Sequence, residues 1–597
     1  MDTAARLFLA RAARHPERAA YRLLAAGGAE RDETLTWSEW ADASRRFAAA
    51  LIAHGHRPGE TVAILAGSSF LWPVADLGVL LAAGVSVGLY PTSAPAQVKQ
   101  ILADCGAATV VVDTVDQLAK VEAVRAELPA LRMVVARDVN GGGCAVAWDA
   151  WLARGAEALA STGIGAAVDA RVLQARPGDT AILIYTSGST GEPKGAEIPH
   201  RYLLASAESI RAVLGTREDD TTLSFLPFCH AAERIFGLYS RVLTGMEAAL
   251  VPDHARLWEA ARAYGPTVFG GLPRFYEKAF ETLRAEHERA AGGERARWDR
   301  VVSLGVTRSR LRQAGEPVPP QVEAAWREAG EPLFARVRGL FGGRIRLATS
   351  GGAALPADVA EYLDALGLTV LGAYGLTEHL CVAFNRPDRY RFDAAGPPMP
   401  GTELRIAADG EILIRRGPLT FAGYHGRPGA TRDAFTPDGG WVLTGDLGEL
   451  VDGSLRVTGR KKELIALSTG KKVAPLPIEA RLAQDPWIGQ AMLYGEGQKF
   501  VSALLSLRPE MLRAWAAERA LPCDDPTLLR HPELVRMVQR AVDRVNADLS
   551  RTEQIRRFVL IGRELTAEDG DLTPTMKLRR GVVAEKFRAE LDALYQA

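Results

Sequence analysis

No two of the five cysteines are spaced as a metal knuckle. Cys105, Cys144, Cys229, Cys381 and Cys523 are scattered and odd in number. That argues against a disulfide framework and a structural zinc site, and it fits a reducing, cytoplasmic setting. Net charge is also missing. Lys and Arg total 72 and Asp and Glu total 72, so no bulk field draws in nucleic acid. Long apolar runs are few. The most apolar stretch, FLWPVADLGVLLAAGVSVGLYP, is broken by Pro73, Asp76 and several glycines. It reads as a buried helix followed by a buried strand, not as a membrane span. The N-terminal segment lacks the long apolar core of a signal peptide and reads as an amphipathic helix. Internal repeats are absent.

A length of 597 residues, 47% hydrophobic and 24% charged, suggests a soluble chain of two or more domains. Short apolar runs alternate with helical patterns through the first 450 residues. VAILAG, TVVVD, MVVARD, AILIY, IRLATSGG and LTVLGAYG read as strands buried on both faces, the pattern of a parallel α/β fold. Several end in Gly, Ser or Thr, and ligands in such folds bind beyond the carboxyl ends of strands. Residues 278 to 341 are rich in Ala, Arg and Glu and read as a solvated helical insertion. From Gly401 the texture changes to hairpins with DG turns. The remainder reads as a smaller α+β unit. The division is expected at 1–458 and 459–597.

The densest motif is TSGSTGEPKG, directly after the run AILIY. Gly188, Gly191 and Gly195 let backbone N–H groups turn inward. Thr186, Ser187, Ser189 and Thr190 add hydroxyls, and Lys194 adds a positive charge. Such a loop suits phosphates, although its spacing is not that of a Walker A loop.

The motif resembles the phosphate loop of the adenylate-forming superfamily, which includes acyl-CoA synthetases, nonribosomal peptide adenylation domains and firefly-type luciferases. SGGAALP, AYGLTEH, LTGDLG, TGRKKELI and LTPTMKLRR are similar to further motifs of that superfamily, in its order and over nearly the whole chain. The resemblance implies a large α/β domain and a small, mobile C-terminal α+β domain. It implies a reaction in two halves: a carboxylate and ATP give an acyl-adenylate and pyrophosphate, then the thiol of coenzyme A displaces AMP.

Roles follow from the same resemblance. The hydroxyls of the loop and Lys194 would hold the β- and γ-phosphates, with Gly188 and Gly191 shaping the cradle. Thr377 would contact the α-phosphate, and Glu378 would help bind Mg²⁺. Gly351, Gly352 and Ala353 would wall the adenine, with Tyr374 and Gly375 opposite. Asp446 would accept the ribose hydroxyls, and Arg460 would contact ribose or phosphate. Lys577 would bridge the carboxylate and the α-phosphate, with Met576 where relatives place a glycine. Lys462 would be the hinge, and Gly470 and Lys471 would line the coenzyme A channel, beside Thr469 where relatives commonly have glycine.

LSFLPFCHAAERIFG and PTVFGGLPRFYEK resemble acyl-tunnel segments of the long-chain branch. They place His230, Gly270 and Gly271 in an acyl pocket, although His230 alone reads equally as a satisfied core histidine. The expectation is a long-chain fatty acid–CoA ligase. The alternative is a fatty acyl-AMP ligase that loads an acyl carrier protein. A nonribosomal adenylation domain fits less well, because HAAERIF offers no clear match for a residue that would hold a substrate amine. A lipid-like substrate is compatible with peripheral contact at the inner membrane face. No nucleic acid partner is expected.

Overall fold

A computed structural model describes residues 2–24, 32–137, 145–161, 163–186, 193–522, 527–566, 568–573 and 577–596. Ser187, Gly188, Ser189, Thr190, Gly191 and Met576 lie outside the described residues. The chain divides into two compact units. One comprises 1–405, 413–443 and 451–455; the other comprises 406–412, 444–450 and 456–597. Leu404–Ile406, Glu411–Arg415, Trp441–Val451 and Ser454–Arg460 form a small four-stranded sheet.

The large unit contains two eight-stranded sheets. At the centre of the first, Thr61–Leu65, Val85–Leu89, Thr109–Val112, Met133–Ala136 and Thr180–Thr186 pair in parallel. Every residue of Thr61–Leu65, Val85–Leu89 and Thr109–Val112 is buried. This is why the runs read as continuous apolar stretches without alternation. Each buried Val, Leu or Ile adds about 1.5–3 kcal/mol over its exposed state. In the second sheet, Thr221–Ser224, Glu247–Leu250, Val268–Gly271, Leu347–Ser350 and Val370–Leu376 are likewise parallel.

Both sheets change character at one edge. In the first, Thr180–Thr186 turns back antiparallel into Lys194–Pro199, which pairs antiparallel with the short strand Gly423–Tyr424. In the second, Val370–Leu376 turns back antiparallel into His379–Phe384. The proposed phosphate loop and the Thr377-Glu378 pair are the two connections of these antiparallel edges.

The apolar stretch near residue 80 forms the helix Leu71–Leu81 and the strand Val85–Leu89, as the sequence suggested. Among the described residues no helix is long and apolar enough to cross a membrane. Asp76, fully buried in this helix, is paired with the buried Arg234 and accepts a hydrogen bond from Tyr239 Oη at 2.8 Å. That pairing explains how a charge sits in the most apolar run of the chain.

The reading of residues 278 to 341 as solvated needs correction. The helices Pro273–Arg289, Gly292–Gln313 and Pro320–Leu340 carry Leu283, Trp298, Val301, Trp326, Phe334 and Val337 into the core beneath the second sheet. Most of the charged residues cover the outer faces, while Arg308 is buried and paired with Glu323 at 2.9 Å. The charged residues outnumber the few large apolar anchors, so composition hid the buried side.

In the small unit, Val501–Leu507 is the centre of a three-stranded sheet, antiparallel to Ile488–Tyr494 and parallel to Ile555–Ile561. It is buried at all seven positions. One apolar cluster joins this sheet to the helices Pro475–Leu482, Pro509–Glu518 and Pro532–Asn546. The last helix buries Leu534, Val538, Ala541, Val542 and Val545, the three-and-four spacing of an amphipathic helix. A second cluster joins Met492, Leu504 and Ile561 to Val583 and Leu591.

Candidate active site

Thr186 and Lys194 are register partners at the open end of the first antiparallel edge, so the strands fix both ends of the loop between them. Gly195 is required there. An added Cβ would lie 2.9 Å from Tyr185 Cζ, and Tyr185 Oη donates to Asp104 at 2.6 Å. Asp104 is bound in turn by Arg427 at 2.9 Å. The tyrosine ring therefore lies across the glycine and is anchored at its hydroxyl.

The second edge makes a two-residue connection. Leu376 pairs with His379, and Thr377 and Glu378 occupy the turn. Gly375 sits at an irregularity of this pairing. A Cβ there would come within 1.4 Å of the Leu380 carbonyl oxygen, so no other residue fits without moving the backbone. The turn is gripped by Tyr202, fully buried in the helix His200–Leu214. Its hydroxyl donates to the Thr377 carbonyl at 3.0 Å and accepts from Leu380 N–H at 2.7 Å. Burial raises the Tyr202 phenol well above its ordinary pKa, so it remains a donor.

Tyr424 brings the two edges together. Its hydroxyl donates to Glu378 Oε1, and its ring lies 5.4 Å from Lys194 Nζ. The Glu378 carbonyl accepts from Phe421 N–H at 3.0 Å. Burial, and then the Glu378 charge, raise the Tyr424 phenol. Neither Tyr424 nor Tyr202 stood out in the sequence. Both lie outside the recognisable motifs, and AGYHGRP offers no periodic signal.

Glu378 Oε2 has no hydrogen-bond partner among the described residues. Nor do three His, Cys, Asp or Glu side chains there converge as a metal cage. This fits an ion such as Mg²⁺, which takes one or two carboxylates and completes its shell with waters and substrate phosphates.

Nearby strand ends supply the other large-unit candidates. Gly351 N–H donates to the Gly271 carbonyl at 3.2 Å. Gly352 has φ +83°, a left-handed conformation suited to glycine. Ala353 is exposed in the same loop, and Tyr374 is half-buried on its strand. A Cβ on Gly270 would lie 3.2 Å from Thr349 Oγ1, and one on Gly271 would meet Phe269 and Phe275 at 3.2 and 3.3 Å. The space beside Gly271 is therefore bounded by aromatic rings. His230 is half-buried, and its Nδ1 accepts from Ala232 N–H at 3.2 Å. Its neighbour Glu233 is fully buried, and its carboxyl is pushed up to about 7 by burial.

Within the small unit, Asp446 is buried and receives Arg460 Nε at 2.7 Å. The structure thus joins the two proposed ribose ligands directly. Lys462 is exposed in a short turn, Lys461–Glu463. Gly470 (φ +77°) and Lys471 form the exposed tip of the hairpin Ile465–Ala466/Lys472–Val473. Lys577 is exposed and bonds back to Thr573. Its N–H donates to Thr573 Oγ1 at 3.1 Å, and its carbonyl accepts from Thr573 N–H at 2.8 Å. Arg580, three residues on, binds both carboxylate oxygens of Glu479 and lies 3.4 Å from Glu463 Oε2.

The AMP-binding enzyme family matches residues 8–425, and its C-terminal domain family matches residues 462–597. The chain belongs to the AMP-binding enzyme family. It is 34% identical over 570 residues to the long-chain-fatty-acid–CoA ligase FadD15 of Mycobacterium tuberculosis, covering 94% of this chain and 92% of that protein. Human ACSBG1, also named a long-chain-fatty-acid–CoA ligase, is 29% identical over 614 residues, covering 96% and 83%. Among solved structures, the anthranilate CoA ligase AuaEII in complex with anthranoyl-AMP superposes with a TM-score of 0.72 at 20% identity, covering 98% and 97%. The adenylation domain of a carboxylate reductase from Mycobacterium chelonae gives 0.74 at 24%, covering 100% and 91%. At these identities the structures speak for the fold alone. They agree with an α/β adenylate-forming architecture with a separate C-terminal domain.

Proposed function

We propose that this AMP-binding enzyme is an acyl-CoA synthetase that activates a long-chain fatty acid. ATP, a fatty acid and coenzyme A are its substrates. The observation that carries the reading is the meeting of Lys194 and Glu378 at the adjoining edges of two parallel sheets. A cation and a carboxylate each contact Tyr424 there, and no ion pair joins them among the described residues. The relatives named as long-chain-fatty-acid–CoA ligases supply the substrate class.

In this reading a fatty-acid carboxylate oxygen attacks the α-phosphorus. The new O–P bond replaces the bond to pyrophosphate. Lys194 and Thr186 hold the departing phosphates, and Thr377 contacts the α-phosphate. Glu378 holds Mg²⁺ with the nucleotide. When bound, the ion neutralises charge on the phosphates. The Gly351–Ala353 turn and Tyr374 enclose the adenine, and Asp446 takes the ribose hydroxyls while Arg460 fixes its carboxylate. Lys577 offsets the repulsion between carboxylate and phosphate. The thiol sulfur of coenzyme A then attacks the acyl carbon, and AMP leaves.

The domains are taken as 1–458 and 459–597. Lys462 is the hinge at which the small domain exchanges Lys577 for the Gly470–Lys471 hairpin. Gly270, Gly271 and the His230 segment line the acyl pocket.

The test is purified protein with ATP, Mg²⁺ and a ladder of fatty acids, with and without coenzyme A, read by mass spectrometry. Acyl-CoA with a maximum at long chains is expected. Acyl-AMP that persists with coenzyme A present would point instead to a carrier-protein acceptor. No adenylate with any acid would overturn the reading.

A further inference from the structure

Lys194 and Glu378 carry opposite charges at one corner, and both must face the nucleotide for the reading above to hold. An ion pair between them would cancel the groups that the phosphates and the cation need. Tyr424 stands against both. Its ring lies 5.4 Å from the ammonium, within reach of a cation–π interaction, and its hydroxyl holds Glu378 Oε1. The tyrosine is itself fixed. Gly423 and Tyr424 pair with Glu197 and Ala196, and Tyr424 N–H donates to Thr431 Oγ1 at 2.8 Å. Thr431 Oγ1 in turn bonds the Arg427 carbonyl at 3.0 Å.

We infer that Tyr424 is a positioning residue that keeps Lys194 and Glu378 apart and aims the second carboxylate oxygen at the nucleotide-borne cation. The ring holds the lysine, and the hydroxyl fixes the rotation of the carboxylate. This rests on the corner being the Mg·ATP site.

The test is binding of a fluorescent ATP analogue, titrated with Mg²⁺ and with no fatty acid present. The proteins are wild type, Tyr424→Phe, Tyr424→Leu, Glu378→Gln and the double variant Tyr424→Phe/Glu378→Gln. Tyr424→Phe keeps the ring and loses one charge-assisted hydrogen bond, so the Mg²⁺ half-saturation should rise roughly tenfold. Affinity at saturating Mg²⁺ should stay within about twofold. Tyr424→Leu also loses the cation–π contact, so affinity at saturating Mg²⁺ should fall by about two- to fivefold. In the Glu378→Gln background, Tyr424→Phe should have little further effect, because it acts through that carboxylate. An unchanged or lower Mg²⁺ half-saturation in Tyr424→Phe would overturn the inference, as would effects of the two substitutions that simply multiply. A wild-type protein that binds no nucleotide would remove the underlying reading as well. The two failures are distinct, because one shows in wild type and the other only in the variants.

Discussion

In the large unit, Lys194 and Glu378 stand half-buried at strand ends, each in contact with a side chain from a distant part of the chain. In the small unit, Lys471 and Lys577 stand exposed, Lys471 at the tip of a hairpin. Groups of the first kind act by being in place before the ligand arrives, so little reorganisation is left for the reaction. Groups of the second kind act by reach, each a compact charge on a long flexible stem. The two classes should therefore fail differently. Loss of a held group should disturb the fold and the chemistry together, while loss of a reaching group should disturb the chemistry alone.

Lys577→Ala is the largest expected effect. Adenylate formation should fall roughly hundredfold or more, as for loss of a key transition-state charge. The thioester step from supplied acyl-AMP should be largely retained, and the melting temperature should not move. Mass spectrometry of the separate half-reactions, together with a thermal melt, checks all three. Equal loss in both halves would remove Lys577 from the role given to it.

Tyr202→Phe probes the held class. The substitution leaves the Thr377 carbonyl and the Leu380 N–H without their partner. The expected loss of stability is about 1–3 kcal/mol, with a raised KM for ATP because the turn carrying Glu378 loosens. A variant that loses stability with unchanged ATP kinetics would break the comparison.

A further effect concerns acid. His56 and His200 are buried, and burial lowers each to about 4 from 6.5. Below pH 6.5 the unfolded chain binds protons that the folded chain refuses. Stability is full above that pH and falls as pH drops toward 4, by up to about 1.4 kcal/mol per pH unit for each histidine. Both residues belong to the large unit. Urea melts at pH 7 and pH 5 on wild type and His56→Gln should show a shallower pH dependence in the variant.

What the sequence made legible follows the same division. Strands such as Thr109–Val112 were readable because burial on both faces leaves a short unbroken apolar run. The helices between 273 and 340 were recognised as helical. Their buried faces were not, because Trp298 and Trp326 are single residues among many charges. The site motifs were legible where one segment carries them whole, as in Thr377-Glu378. Tyr202 and Tyr424 were not, because their meaning lies in partners 175 and 46 residues away. No local pattern encodes such a meeting.

Arg580 carries one mechanical consequence. It clasps Glu479 on the helix Pro475–Leu482 and reaches Glu463, the neighbour of Lys462. It begins the helix that follows Lys577. The Lys461–Glu463 turn and the helix that Arg580 begins are thus tied to one another through a single guanidinium. A displacement of that turn would pass to the helix through this one side chain, as a crank passes motion to its handle.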